Sequence, residues 1–233
     1  NYSNREIEKI YITASGGPFL NLQKEKFKYI KPEQAIKHPK WKMGKKISVD
    51  SATLMNKVLE LTEALKLFTF DLKKYEIIIH PQSLVHAIVK LKNGTTIFLY
   101  HCPDMKIPIA NALFNKFNYL DLFTNINKKV KSIQNLEFYP VDTNKFPVVK
   151  LISVMNKLQS SPIIINAANE IFVDQFLKKN IDFNDISFYL SLVIKNRNYI
   201  KTSNMHSNSI KNIYKIDNWA RNLALQIIKK NKF

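Results

Sequence analysis

Residues 75–100 read YEIIIHPQSLVHAIVKLKNGTTIFLY, and this stretch decides the fold class. Tyr75–Ile79 is a short β-branched run that stops at His80-Pro81. Leu84–Leu91 and Thr95–Tyr100 flank Lys92-Asn93-Gly94. An Asn-Gly pair between apolar runs signals a hairpin, because a tight primed turn needs positive φ at both central residues. Working upstream, residues 7–15 alternate enough to form another strand, which runs into the turn Ser15-Gly16-Gly17-Pro18. Between these strands the period changes. Leu54, Val58, Leu61, Leu65 and Phe68 recur at steps of four and three, predicting a helix from Ser51 to Phe68 with Asp50 or Ser51 as its N-cap. Downstream, residues 115–140 lose periodicity and read as a linker. Beyond Phe146-Pro147 four helices are predicted, at 147–159, 162–179, 184–197 and 215–231, with a loop over 200–212. The expected fold is α+β: a mixed sheet with packed helices, followed by a C-terminal four-helix bundle.

Composition excludes several classes of function. The chain has 233 residues, of which 45% are hydrophobic and 12% aromatic, enough for a packed core. No apolar run approaches the roughly 18–20 residues a bilayer requires, so no membrane span is expected. Cys102 is the only cysteine, which excludes an internal disulfide and fits a reducing compartment. The chain starts at Asn1 without signal or transit features and is expected to be part of a longer polypeptide. Four glycines, Gly16, Gly17, Gly44 and Gly94, cannot build a GxGxxG or Walker loop. The net charge of +18 favours anionic partners. Only three of the 36 basic residues are arginines, however, and the lysines are scattered. Base and phosphate recognition leans on the guanidinium fork, so no nucleic-acid partner is expected. The abundance of Lys, Asn and Ile also matches an A/T-rich genome.

The helix after Ser51 carries the most chemistry. With its apolar stripe inward, Asn56, Lys57 and Glu60 lie on the other side. One reading is an ordinary solvated face with an i,i+3 ion pair. The other is an anion site, in which Ser51, Asn56 and Lys57 meet a phosphate near a helix N-terminus. Glu60 would then offer one hard oxygen ligand to Mg²⁺ or Mn²⁺. Four histidines, His38, His80, His86 and His101, fall in nearby segments. No HxxxH or CxxC spacing supports zinc.

Together the segments TASGGPF (13–19), HPKWKMGKKISVDSATLMNK (38–57) and HPQSLVH (80–86) resemble the 1-deoxy-D-xylulose 5-phosphate reductoisomerase family. PDM (103–105), PIA (108–110) and NAANE (166–170) extend the resemblance into the C-terminal half. The resemblance implies an enzyme that rearranges 1-deoxy-D-xylulose 5-phosphate and reduces the product to 2-C-methyl-D-erythritol 4-phosphate, in non-mevalonate isoprenoid biosynthesis. NADPH and Mg²⁺ or Mn²⁺ are the implied cofactors. It implies that Ser15, Ser51, Asn56 and Lys57 hold the substrate phosphate and that Glu60 is a metal ligand. Trp41 and Met43 would belong to a flap over the substrate, with His38 beside them, and Ser83, His86, Pro103 and Met105 would line the pocket. Gly44 is the only position here that it places at the cofactor. The family's NADPH-binding domain and its other two metal carboxylates would precede residue 1, so the 233 residues alone are expected to be inactive. The implied domains are a catalytic one over 1–114, a linker over 115–140 and a helical bundle over 141–233, in a homodimer. The alternative is a noncatalytic module binding phosphate or polyanions. The expected location is a relict plastid (apicoplast) stroma, with bacterial cytoplasm as the alternative.

Overall fold

The computed structural model describes residues 3–38, 43–114 and 135–231. In chain order the elements are β1 (Ile7–Ala14), α1 (Pro32–Ala35), α2 (Lys45–Thr53), α3 (Met55–Leu67), β2 (Tyr75–Ile79), β3 (Val85–Leu91), β4 (Thr96–Tyr100), α4 (Lys106–Leu113) and β5 (Tyr139–Pro140). They continue with α5 (Ile152–Met155), α6 (Ser161–Leu177), α7 (Phe183–Ile194), α8 (Tyr199–Ser203) and α9 (Ile210–Asn231). Single 3₁₀ segments span Lys24–Tyr29, Leu72–Lys74 and Pro147–Leu151. The architecture is α+β, as expected. Among the described residues no helix is long and apolar enough to cross a membrane.

The elements fall into two compact units, one of Asn1–Ser15 with Lys73–Val141, the other of Gly16–Leu72 with Asp142–Phe233. The division falls within one residue of the expected boundary at 141 but not at 114, since Gly16–Leu72 belongs to the second unit. The segment 16–72 packs with the C-terminal helices because α2 and α3 both lie against α6. Of the expected linker, 115–134 lies outside the described residues, whereas Tyr139–Pro140 forms β5.

The first unit is a five-stranded mixed sheet in the order β4-β3-β1-β2-β5. β1 pairs with β2 in parallel and with β3 antiparallel. The β3–β4 hairpin turns at Asn93-Gly94, where Gly94 has a φ of 89°. Each predicted strand lies within one residue of its expected bounds; the two-residue β5 carries no sequence signal.

The second unit is built on α6, α7 and α9, which pack against one another. Ile164, Ile165, Ala167, Ala168 and Phe172 of α6 are buried, while Asn166, Glu170 and Asp174 follow one another at steps of four along a polar stripe. α9 is amphipathic as well, burying Ile216, Ala220, Leu223, Ala224, Ile227 and Ile228 at steps that keep one stripe inward. Asp182 caps α7 in a capping box with Asp185. Rings of Phe19, Phe27 and Phe176 surround Phe183 at centroid distances of 5.3, 5.7 and 5.6 Å. The first expected C-terminal helix is a 3₁₀ segment running into the four-residue α5, and part of the expected loop over 200–212 is α8.

The helix predicted over 51–68 is two helices. α2 starts earlier, at Lys45, and ends at Leu54, whose φ of 65° is left-handed. That conformation is costly for a residue with a branched side chain, and only a fixed surrounding maintains it. Leu54 is buried, which supplies that fixing. Asp50 and Ser51 are therefore interior residues of α2, not a cap.

Candidate functional site

In the second unit, α2 and α3 position most of the expected residues. Gly17 has a φ of 66°, and a Cβ there would come within 2.8 Å of the Ser51 carbonyl oxygen. Only glycine permits both that conformation and that approach. The Gly16-Gly17 backbone is thus seated on the turn of α2 that carries Ser51, itself buried. Next to Ser51, the Asp50 carboxylate is buried and bonded to Lys46 Nζ at 2.6 Å and to Asn169 Nδ2 at 2.8 Å. Burial pushes its pKa up, against the opposing pull of Lys46. Asn169 belongs to the NAANE stretch of α6, so this bond joins α6 to the helix bearing Ser51.

The break at Leu54 gives α3 its own N-terminus, and Asn56 and Lys57 stand in its first turn. Backbone N–H groups at such a turn carry partial positive charge. Asn56 Oδ1 is buried without a hydrogen-bond partner among the described residues. A buried amide oxygen left so needs an explanation, and a bound ligand or water is one. Lys57 Nζ bonds Glu60 Oε2 at 2.6 Å, with the Glu60 side chain 45% exposed. The i,i+3 pair expected from spacing is therefore present, and it stands beside the same anion-favouring turn. His38 is half-buried; burial first, then the charge of Lys57, holds its pKa below the ordinary value. Its ring is accordingly neutral at pH 7 and close enough to feel Lys57. Met43 precedes Gly44, which caps α2 and accepts bonds from Ser48 N at 3.1 Å and Ser48 Oγ at 2.9 Å. Nothing lies within 4 Å of a Cβ built on Gly44, so no close approach requires a glycine there. Trp41 lies outside the described residues.

The first unit carries the remaining positions. Ser15 directly follows β1. Ser83 sits between β2 and β3 with a left-handed φ of 56°, and its buried Oγ lacks a hydrogen-bond partner among the described residues. His86 occupies a bulge: Val85 pairs with Tyr100 and Ala87 with Leu99, leaving His86 as the extra residue. Pro103 is half-buried, and Met105, 57% exposed, precedes α4. His80, fully buried, has a structural job. Leu84 N–H donates to its Nε2 at 3.2 Å, so its Nδ1 carries the proton and donates to the Glu137 carbonyl at 2.9 Å. Its ring stacks on Phe138.

A cavity of about 680 Å³ also opens in the second unit, lined by Lys24, Lys145, Lys150, Phe27, Phe146 and Thr53 among others. None of the expected site residues lines it. Among the described residues no group of three or more His, Cys, Asp or Glu side chains is placed to hold a metal.

Against known families, residues 1–68 match the model of the 1-deoxy-D-xylulose 5-phosphate reductoisomerase C-terminal domain, and residues 101–223 match that of the DXP reductoisomerase C-terminal domain. The chain belongs to the 1-deoxy-D-xylulose 5-phosphate reductoisomerase family. A reductoisomerase of Pelagibacter ubique is 42% identical over 220 residues, covering 94% of this chain and 56% of the relative. One from Treponema denticola is 44% identical, again over 94% of this chain and 56% of the relative. A solved DOX-P reductoisomerase in complex with NADPH, fosmidomycin and magnesium superposes with a TM-score of 0.85 at 33% identity, covering 98% of this chain and 57% of that one. The Zymomonas mobilis reductoisomerase in complex with NADPH gives 0.76 at 32% identity, covering 97% and 57%. The chain thus spans a little over half the length of the family members it matches.

Two features of the site escaped the sequence. One is the Asp50–Asn169 bond, whose partners lie 119 residues apart. The other is the contact between His86 and His101, whose rings stack at 3.8 Å with 16° between their planes.

Proposed function

We propose that this chain is the substrate- and metal-binding part, with the C-terminal helices, of an enzyme converting 1-deoxy-D-xylulose 5-phosphate to 2-C-methyl-D-erythritol 4-phosphate. The observation that carries the proposal is the first turn of α3. Asn56 and Lys57 stand there at a helix N-terminus, the Asn56 amide oxygen is buried without a hydrogen-bond partner among the described residues, and the charge of Lys57 reaches a half-buried His38. In this reading Ser51, Asn56 and Lys57 hold the substrate phosphate, and Ser15 has the same role. The phosphate anchors the substrate by charge-assisted hydrogen bonds, leaving its carbon skeleton to the reaction. Trp41 and Met43 cover the carbons and exclude water, with His38 beside them. Ser83, His86, Pro103 and Met105 line the pocket.

For a divalent metal, Mg²⁺ or Mn²⁺, this reading takes the accessible carboxylate of Glu60 as donor, and since no group of three such side chains is placed to hold a metal among the described residues, further ligands come from outside them. When bound, the metal would act as a Lewis acid on substrate oxygens. Glu60 must exchange Lys57 for the metal, which leaves the Lys57 ammonium for the phosphate. NADPH does not fit this chain's own residues: no glycine-rich loop exists, and Gly44 serves as a helix cap. Hydride chemistry is therefore assigned to sequence outside this chain. A homodimer completes the proposal, supported by edge strand β4, where Phe98 and Leu99 are exposed. The relatives named above are bacterial, which favours a bacterial cytoplasm over a relict plastid.

The decisive experiment compares NADPH oxidation by the 233-residue chain with that by a polypeptide that restores the family's remaining length. The restored polypeptide should turn over 1-deoxy-D-xylulose 5-phosphate with added Mg²⁺, and the chain alone should not. Failure of the restored polypeptide, with retained phosphate binding, would instead favour a noncatalytic phosphate-binding module.

A further inference from the structure

We infer that His101 is a positioning residue for His86, fixing the rotamer and the tautomer of its imidazole. The inference rests on the reading of His86 as a pocket residue, but its geometry stands within one sheet. His86 is the extra residue of the β3 bulge, and a bulge frees a side chain from the regular alternation of the strand. Such a side chain needs something else to aim it. His101, just past the end of β4, supplies three contacts. Its N–H donates to the Leu84 carbonyl at 2.9 Å, which carries the antiparallel ladder beyond the bulge. Its own carbonyl lies 3.0 Å from His86 Nε2. Its ring lies face to face with that of His86 at 3.8 Å.

The tautomer follows from these contacts. A carbonyl oxygen can only accept, so Nε2 of His86 carries the proton. In the neutral ring Nδ1 is then the unprotonated nitrogen, able to accept a hydrogen bond or a proton. The His101 ring is fixed in turn, because its Nδ1 donates to the Cys102 carbonyl at 2.7 Å. That bond orients the His101 ring, and the ring acts on His86 through the stack. His101 thus acts on the pocket without entering it.

The test uses ring-¹⁵N-labelled histidine in the 233-residue chain, comparing wild type with His101→Ala and His101→Phe by long-range ¹H–¹⁵N spectra. Wild type should show one His86 tautomer, protonated at Nε2, with that proton in slow exchange with water. His101→Ala should lose the slow exchange and mix the tautomers; His101→Phe, which keeps the stack, should retain both signatures. If His101→Ala does not fold, His101→Gln takes its place, since it also removes the stack. Unchanged His86 signals in the variant without the stack would overturn the inference. A second arm measures kcat/KM in the polypeptide with the family's full length. His101→Ala should lower it about tenfold, the scale of one displaced hydrogen bond, and His101→Phe should recover most of the loss. Unaltered kinetics for His86→Ala would remove the pocket reading of His86, while the spectra would still decide whether His101 holds it.

Discussion

The α2–α3 pair and the α6–α7–α9 core belong to the same compact unit, yet they are built on different principles. The three long helices bury mostly aliphatic and aromatic side chains and carry paired polar groups: Arg221 bonds both Asp217 and Glu170, and Asp182 and Asp185 close a capping box, while Asn169 Oδ1 in α6 is buried without a partner among the described residues. In α2, by contrast, Ser48, Asp50, Ser51 and Thr53 are all buried. The junction adds a left-handed leucine and, two residues on, an amide oxygen at Asn56 that has no partner among the described residues. Each feature costs folding free energy. These features are concentrated in one segment that rests on an apolar core, and under the proposed function this separates the binding region from the stabilising one. Substitutions should therefore sort by region, with stability lost from the core and function lost from the pair.

The largest effect is expected in the core. Phe172, fully buried in α6, should cost about 3–5 kcal/mol when changed to Ala, read by chemical denaturation. A loss under about 1 kcal/mol would mean that the helices do not form the stabilising region. The second effect lies in α3 and should spare stability. Glu60→Gln should lower turnover of the full-length polypeptide by about 100-fold or more and weaken its metal dependence. Unfolding should shift by no more than about 0.5 kcal/mol, because the Glu60 carboxylate is solvent-accessible and an i,i+3 pair of this kind contributes little. Lys57→Ala should chiefly raise KM for the phosphorylated substrate. Near-normal kinetics for Glu60→Gln would sink the metal assignment and return the pair to a plain surface contact.

The smallest effect sharpens the comparison through pH. Burial raises the pKa of Asp50 in the folded state, so the folded protein holds that proton more tightly than the unfolded chain. The associated stability is fully present below the ordinary aspartate value near 4 and is lost as pH rises through the raised folded value. Asp50→Asn has no such loss. Its stability relative to wild type should therefore improve as pH rises from about 4 towards 7, measured by thermal unfolding at a series of pH values. The opposite slope would show that the Lys46 contact outweighs burial.

The strands were legible because alternation and Asn93-Gly94 are local signals, each written within a few residues. The long C-terminal helices were legible for the same reason. The break at Leu54 was not: leucine has no preference for left-handed backbone, and the conformation is imposed by packing. α4 was missed as well: it is only eight residues long, and Pro108 is tolerated because it lies in the first turn. Among the proposed site residues, Ser51, Asn56, Lys57 and Glu60 were singled out from their order along one predicted helix, which the structure divides between α2 and α3. Asp50–Asn169 and His86–His101 depend on residues that only tertiary structure brings together.

β1 and β2 are neighbours in space and parallel, yet everything from Ser15 to Lys74 runs between them, and most of that stretch belongs to the other compact unit. A parallel pair cannot close by a tight turn, so the sheet's central contact is also among its most distant along the chain. Closing so long a loop carries an entropy cost that the β3–β4 hairpin, with its short turn, avoids. The hairpin can therefore form early, whereas β2 takes its place beside β1 only after a long search. During synthesis β1 leaves the ribosome well before its parallel partner and must wait for it with an open edge. Protection of that waiting strand falls to whatever pairs with it first, and until β2 has emerged that partner cannot be its own sheet.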